Sequence, residues 1–443
     1  MEHAIASKLR LIVTLLYLSS LSPALLAYEA PPLEPGFESL FDGKEISKHF
    51  HVKGKKSSWT VVDGIIVASS GGNRLISKKA YTNYVLKIEW KIAEGGNSGV
   101  FVNVPSPDDA QPWVSGYEVQ ISDERPRRKP IHATGALYNR APTTALVIEP
   151  NVWHEFAITA LGDNLQVKLD GKLVSNGNPA THPVMKDLPT GGHVGVQDYH
   201  GGNGKTVEYR NIRIQALNTD GTIQGFKSLT ASSNDWRKIK TGHGTGGIWQ
   251  YEDGVWSGEQ DPPGSGNGGI LIYNEKFSDF EVSFETKPDW GVCSGFFLRS
   301  TEKGQCYQVM VDYHHRNGNI GGLYGEGTGG FVQRSYKLDA NKDLVALEKV
   351  QGTPPPIPFE EKEWSRYWNK EGWNQIRARI VGNPPRVESW VNGAYMSDLQ
   401  DDQNRIPHAG HIGIQVHGGK GWPKGAKVHF RNIQVRPLKK TAK

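Results

Sequence analysis

The feature that most constrains this chain is an internal duplication. The segment from Trp59, "WTVVDGIIVASSGGNRLISKKAYTNYVLKIEWKIAEGGNSGVFVNV", resembles "WQYEDGVWSGEQDPPGSGNGGILIYNEKFSDFEVSFETKPDWGVCSGFFLRS" from Trp249. Later landmarks recur in the same order. "GYEVQ" at 116 pairs with "CYQVM" at 306, and "GALY" at 135 with "GGLYG" at 321. Trp153 and "LDGKLV" pair with "GWNQI" at 372 and "VNGAYM". "GHVGVQDYHGG" at 192 pairs with "GHIGIQVHGG" at 410, and "VEYRNIRIQAL" at 207 with "VHFRNIQVRPL" at 428. An unbroken order of this kind predicts two copies of one module. The first copy spans 28–217 and the second 224–438. A long insertion at 337–371 is special to the second copy, and a Pro-rich lead-in occupies 28–36.

Within each copy the segments alternate apolar and polar residues, as in "YVLKIEWKI", "FEVSFETK", "LQVKLDG" and "VHFRNIQV". A period of two is the signature of half-buried strands. "LDGKL" and "VNGAY" carry the Asp-Gly and Asn-Gly pairs that suit a type I′ hairpin turn. No segment shows a helical period over more than a turn or two. The fold class predicted is all-β, as two antiparallel sandwiches.

The first residues, "MEHAIASKLRLIVTLLYLSSLSPALLAYEA", place Lys8 and Arg10 before a short apolar run from Leu11 to Leu18, followed by a Ser/Pro stretch and a cleavage point near Ala27. This reads as a signal peptide over 1–27, so the protein is expected to be secreted or periplasmic. No later stretch reaches the roughly 20 apolar residues of a membrane span. The net charge of +5 comes from scattered residues, and the short basic runs read as solvated surface, which argues against a nucleic-acid partner. The two cysteines, Cys293 and Cys306, flank a strand–turn–strand motif whose midpoint lies at Ser300–Thr301. In an exported protein this predicts a disulfide, with two buried free thiols as the alternative.

"FESLFDGKEI", "NSGVF", "GYEVQISD", "TGALY", "DGKLV", "VGVQ" followed by a histidine, and "YRNI" occur together and in this order. The set resembles the 3-keto-disaccharide hydrolase domain family, formerly a domain of unknown function. The resemblance covers essentially all of 28–438, once per copy. It implies a concanavalin A-like jelly-roll sandwich and a glycoside or oligosaccharide substrate. In a 3-keto sugar the C3 ketone acidifies the C2 hydrogen. A base that removes it forms an enolate, which expels the C1 substituent, and water then adds. Such a site needs a base, an acid for the leaving oxygen, and a stabiliser for the enolate. The alternative reading is a non-catalytic tandem carbohydrate-binding sandwich.

In the first copy Glu118 and Gln120 share one strand face, and Asp123 joins them only through a β-bulge. Glu118, His200 and Asp123 are the expected catalytic residues. Gln120, Tyr138, Gln197 and Arg210 are expected to bind substrate. In the second copy the expected binding residues are Arg299, Gln308, Asp312, Tyr324, Gln415 and His417, with His314 and His315 adding titratable groups. No ligand spacing calls for a metal, and calcium is the ion that lectin-like sandwiches carry when they carry one. Glu118 and Gln120 become Gln308 and Met310 in the second copy, which ties them to the work of the first.

Overall fold

The computed structural model describes residues 28–69, 71–123, 129–145, 147–200, 204–242, 244–313, 318–338, 347–350, 352, 355, 357 and 363–439. The expected signal peptide at 1–27, His314, His315 and much of the 337–371 insertion lie outside the described residues. No described helix is long and apolar enough to cross a membrane.

Each copy folds as a jelly-roll sandwich of two antiparallel sheets. In the first, one sheet runs in the order Lys172–Gly177, Asn164–Leu169, His154–Leu161, Tyr84–Ile92, Thr206–Ala216, Ile65–Ser69, Trp59–Val62. The facing sheet runs Phe50–Lys53, Arg74–Tyr81, Gly192–Gln197, Asn97–Val104, Tyr117–Ser122. The second copy repeats this order, for example Gly269–Phe277, Gly410–Val416, Cys293–Ser300, Cys306–Asp312, and extends that sheet with Ile320–Glu326 and Gly330–Gln333. Alternation sorts the side chains. Tyr84, Leu86, Ile88 and Trp90 meet Phe156, Tyr209, Val119 and Ile121 in one core between the sheets.

The lead-in segment joins the two sandwiches. Glu34 is 2% exposed, and its carboxylate receives Lys87 Nζ at 2.9 Å and Arg213 Nε at 3.1 Å, both from the first sandwich. Arg377 of the second sandwich approaches the same carboxylate at 3.8 Å and also donates to the Pro35 carbonyl. Arg379 and Trp390 of the second sandwich donate to the Leu33 and Pro32 carbonyls. The larger sheets therefore face each other across this peptide, and the smaller sheets face outward. Burial alone would raise the Glu34 carboxyl, but Lys87, Arg213 and Arg377 override it and hold it at about 2.

The cysteines do not bridge. The hairpin register sets Cys293 opposite Asp312 and Tyr307 opposite Leu298, so Cys306 stands at the far end of its strand from Cys293. Both thiols are free. The expected pairing put the turn at Ser300–Thr301, whereas the register centres it closer to Glu302–Lys303. Burial, reinforced by Asp312, pushes the Cys293 thiol well up. Protein unfolded without reductant is therefore expected to release two titratable thiols, and none would restore the disulfide.

Glu34 generates a second prediction. Its folded value lies below the ordinary 4.5, so its stabilisation is present at neutral pH and is lost as pH falls from about 4.5 towards 2. Glu34→Gln should cost about 3–5 kcal/mol at pH 7, because three buried cations lose their counter-charge. In chemical denaturation the gap to wild type should narrow on acidification. An equal gap at pH 7 and pH 3 would refute this account.

Candidate active site

Glu118 and Gln120 point away from the core of the first sandwich, while Tyr117, Val119 and Ile121 fill it. Register arranges the outer face of this sheet in rows. Arg74 lies beside Gln197, Gln197 continues the ladder to Gly99, and Gly99 lies beside Gln120. Across these three strand intervals the row is about 14 Å wide, at ~4.8 Å per interval. The next row runs His51, Ile76, Gly195, Phe101, Glu118.

Gly99 is the floor of this arrangement. A Cβ there would lie 2.2 Å from Glu118 Oε1, so the carboxylate lies across the bare glycine backbone. Glu118 is 6% exposed, and Gln120 donates to Asn97 Oδ1 at 2.8 Å. One border of the face is apolar, where Trp113 packs on Ile76, Phe101 and Val104. There Arg74 Nη2 donates to the Asp109 carbonyl at 2.6 Å, while its buried Nε has no hydrogen-bond partner among the described residues. The Tyr117–Ser122 edge is bordered by the 131–141 segment. Tyr138 N donates to the Glu118 carbonyl at 2.9 Å, and its ring lies 4.9 Å from His132.

At the end of the strands the chain leaves the sheet through Asp198, Tyr199 and His200. His200 is exposed, and its amide donates to the Asn97 carbonyl at 2.7 Å. Glu118, Gln120, Tyr138, Gln197 and His200 lie on or beside one sheet face.

Several expected residues fall elsewhere. The ladder between Asn97–Val104 and Tyr117–Ser122 runs without a shift, so no bulge brings Asp123 onto the Glu118 face. Its carboxylate instead accepts the Gly95 amide at 3.0 Å and closes the preceding turn. Arg210 lies on the opposite sheet. Its Nε donates to Glu89 at 2.7 Å and its guanidinium stacks on Trp153 at 3.9 Å. Arg431 repeats this with Glu285 and Trp373. Asn211 and Asn432, the next residues, both take positive φ at a register shift. "YRNI" therefore marks a bulge of the scaffold. Arg299 is fully buried, bonded to the Ser278 and Gly382 carbonyls and to Asp279.

In the second sandwich the rows change character. Arg74, Gln197, Gly99 and Gln120 correspond by register to Ile270, Gln415, Gly295 and Met310. Gln308, in the place of Glu118, donates to Gln415 at 2.9 Å, and both are 2% exposed. Ile239, Ile270, Ile272, Phe297 and Cys306 pack as a closed apolar cluster over this face. Gln308 and Gln415 thus satisfy each other and are not presented to a ligand. A separate cleft of about 170 Å³ is lined by Cys293, His417 and Gly418–Trp422. Asp312 lies beside Cys293 at one wall, and Tyr324 is close enough to Glu326 and Cys293 for their charges to raise its hydroxyl further than burial alone. Among the described residues no group of three or more His, Cys, Asp or Glu could hold a metal ion.

Arg74 and Asn73 escaped the sequence reading. Their signal lay in the copies: "NR" at 73–74 becomes "GI" at 269–270, the same polar-to-apolar exchange that marks Gln120 and Met310.

A curated 3-keto-disaccharide hydrolase of Bacteroides thetaiotaomicron is 26% identical over 277 residues, covering 53% of this chain and 84% of the relative. A crystal structure from Parabacteroides distasonis, described as a candidate glycosyl hydrolase, is 25% identical with a TM-score of 0.36, covering 41% of this chain and 99% of that one. A laminarinase from Flavobacterium sp. UMI-01 is 16% identical with a TM-score of 0.30, covering 41% of this chain and 98% of that one. The model of the 3-keto-alpha-glucoside-1,2-lyase-like domain matches residues 36–215 and again 225–436, so the chain belongs to this family and carries its domain twice.

Proposed function

We propose that the outer face of the first sandwich cleaves 3-keto-glycosides, taking the proton from C2 and releasing the C1 substituent. One observation carries this reading. A largely buried carboxylate lies across a glycine floor beside amide and guanidinium groups, and the sister domain replaces the carboxylate with the neutral Gln308 and Arg74 and Gln120 with Ile270 and Met310. The family and the curated relative, named as a 3-keto-disaccharide hydrolase, support a carbohydrate substrate.

In this reading Glu118 is the base. It takes the C2 proton, and the electrons move into the C3 carbonyl to give an enolate. The positive charge of Arg74 lies on the same face and opposes the charge building on that oxygen. Collapse of the enolate breaks the bond from C1 to the glycosidic oxygen, and His200 protonates that oxygen as it leaves. Water adds to the resulting enone to give the free 3-keto sugar. Gln120 and Gln197 supply amide groups to sugar hydroxyls, and Trp113 and Tyr138 border the rings. The reaction takes place outside the cytoplasm once 1–27 is removed. The exported protein should then begin near Tyr28, which N-terminal sequencing would show.

Wild type should release the aglycone from a 3-keto-disaccharide. Glu118→Gln should lower kcat by about 10²-fold or more. Gly99→Ala should do similar damage, because its methyl collides with the Glu118 side chain and displaces the carboxylate. Gln308→Ala in the second sandwich should leave turnover unchanged. Sugar binding by wild type without turnover would overturn the reading and make this face a binding surface.

A further inference from the structure

Three departures of the second copy from the first meet at one end of its sandwich. Trp290 stands where the first copy has Glu94. The loop from His417 to Arg431 is longer than that from His200 to Arg210, and it carries Trp422 and Pro423. The 337–371 insertion brings Lys370, whose Nζ lies 4.4 Å from the centre of the Trp290 ring. The first sandwich folds without any of the three, so the scaffold does not demand them. The two tryptophan loops touch, since a Cβ on Gly291 would lie 2.9 Å from Pro423. The Asp289 amide donates to the Lys427 carbonyl at 2.8 Å, and the Lys427 amide returns a bond to Asp289 Oδ2 at 2.8 Å.

Beside these loops lies the cleft of about 170 Å³ lined by Cys293, His417 and Gly418–Trp422. At roughly 10–15 Å³ for each water-sized group it takes about a dozen, the heavy-atom count of one hexose. Its walls are held in place. Trp422 Nε1 donates to the Ala426 carbonyl at 2.8 Å. The buried Gln260 amide donates to the His417 and Gly419 carbonyls at 3.1 and 2.9 Å. Trp290 packs at 5.1 Å on Tyr313, whose hydroxyl accepts Trp368 Nε1 from the insertion. Trp290 is still 38% exposed, whereas every other described tryptophan is buried or half-buried.

A supported indole at the mouth of a small polar cleft matches the apolar C–H face of a pyranose, whose hydroxyls need polar partners. His417, Lys420 and the exposed backbone of the glycine loop offer them. The ammonium groups of Lys370 and Lys420 are offset by Asp312, which lies opposite Cys293 in the strand pair. Burial and Asp312 keep the Cys293 thiol neutral. No single sign of charge therefore dominates the cleft. We propose that this end of the second sandwich is a binding site for one neutral hexose unit of a glycan, held without being cleaved.

Calorimetric titration of the full chain with glucose, methyl α-glucoside and maltose tests this. None carries a 3-keto group, so the result does not depend on the reaction assigned to the first sandwich, and the two readings fail separately. Wild type should bind at least one of the three saturably, with a Kd of about 1 mM or tighter. Trp290→Ala should weaken that binding at least about tenfold, and Trp290→Tyr, which keeps an aromatic face, should recover most of it. His417→Ala should weaken binding in the same direction and serves if Trp290→Ala does not fold. Glu118→Gln should leave this binding unchanged, because residue 118 belongs to the other sandwich. Absence of saturable binding by all three sugars, or equal affinity in wild type and Trp290→Ala, would overturn the proposal. Loss of the binding in Glu118→Gln would place the sugar on the first sandwich and overturn it too. Glucuronate bound far more tightly than glucose would overturn the neutral class of ligand.

Discussion

Strand alternation is the constraint on which the rest of this structure depends. Along Tyr117–Ser122 the core takes every second side chain, and the remaining ones must stand on the outer face. The same rule acts on Asn97–Val104, Gly192–Gln197 and Arg74–Tyr81, so hydrogen-bond register alone lines up Arg74, Gln197, Gly99 and Gln120. No loop has to be ordered to assemble this row. The sandwich that provides the core also provides the site, and a one-residue slip would exchange the two.

Duplication turns this constraint into a comparison. Both copies keep the core, the hairpins and the bulge at "RNI". They part on the outer face of the smaller sheet, where the first shows charges and amides and the second a sealed apolar cluster. Features shared by the copies, such as Arg210 with Trp153 and Arg431 with Trp373, belong to the fold. Features of one copy belong to its task. The Glu34 cluster adds a third layer. It sets the larger sheets of the two sandwiches against each other and leaves the smaller sheets on the sides away from that contact.

Much of this was legible in the sequence, for physical reasons. Period-two alternation and Asp-Gly or Asn-Gly turns are local, so the strands, the repeat and the outward direction of Glu118 and Gln120 could be read directly. What failed was non-local. Arg210 alternates with core residues as Glu118 does, but alternation does not say which of two sheets a strand joins. The cysteines demanded a register set by turn length, and that register separates them by most of a strand. Asp123 required a bulge that the ladder does not contain. Asp198 and Asn73 meet across 125 residues of sequence, a pairing that no local pattern announces.

A crystal structure of Glu118→Gln with an unreacted 3-keto-disaccharide tests the central claim most directly. The account predicts the sugar across Gly99, with its 3-keto ring beside residue 118 and its hydroxyls against Gln120 and Gln197. Sugar bound only in the second-domain cleft at His417–Trp422, with the first face empty, would contradict it.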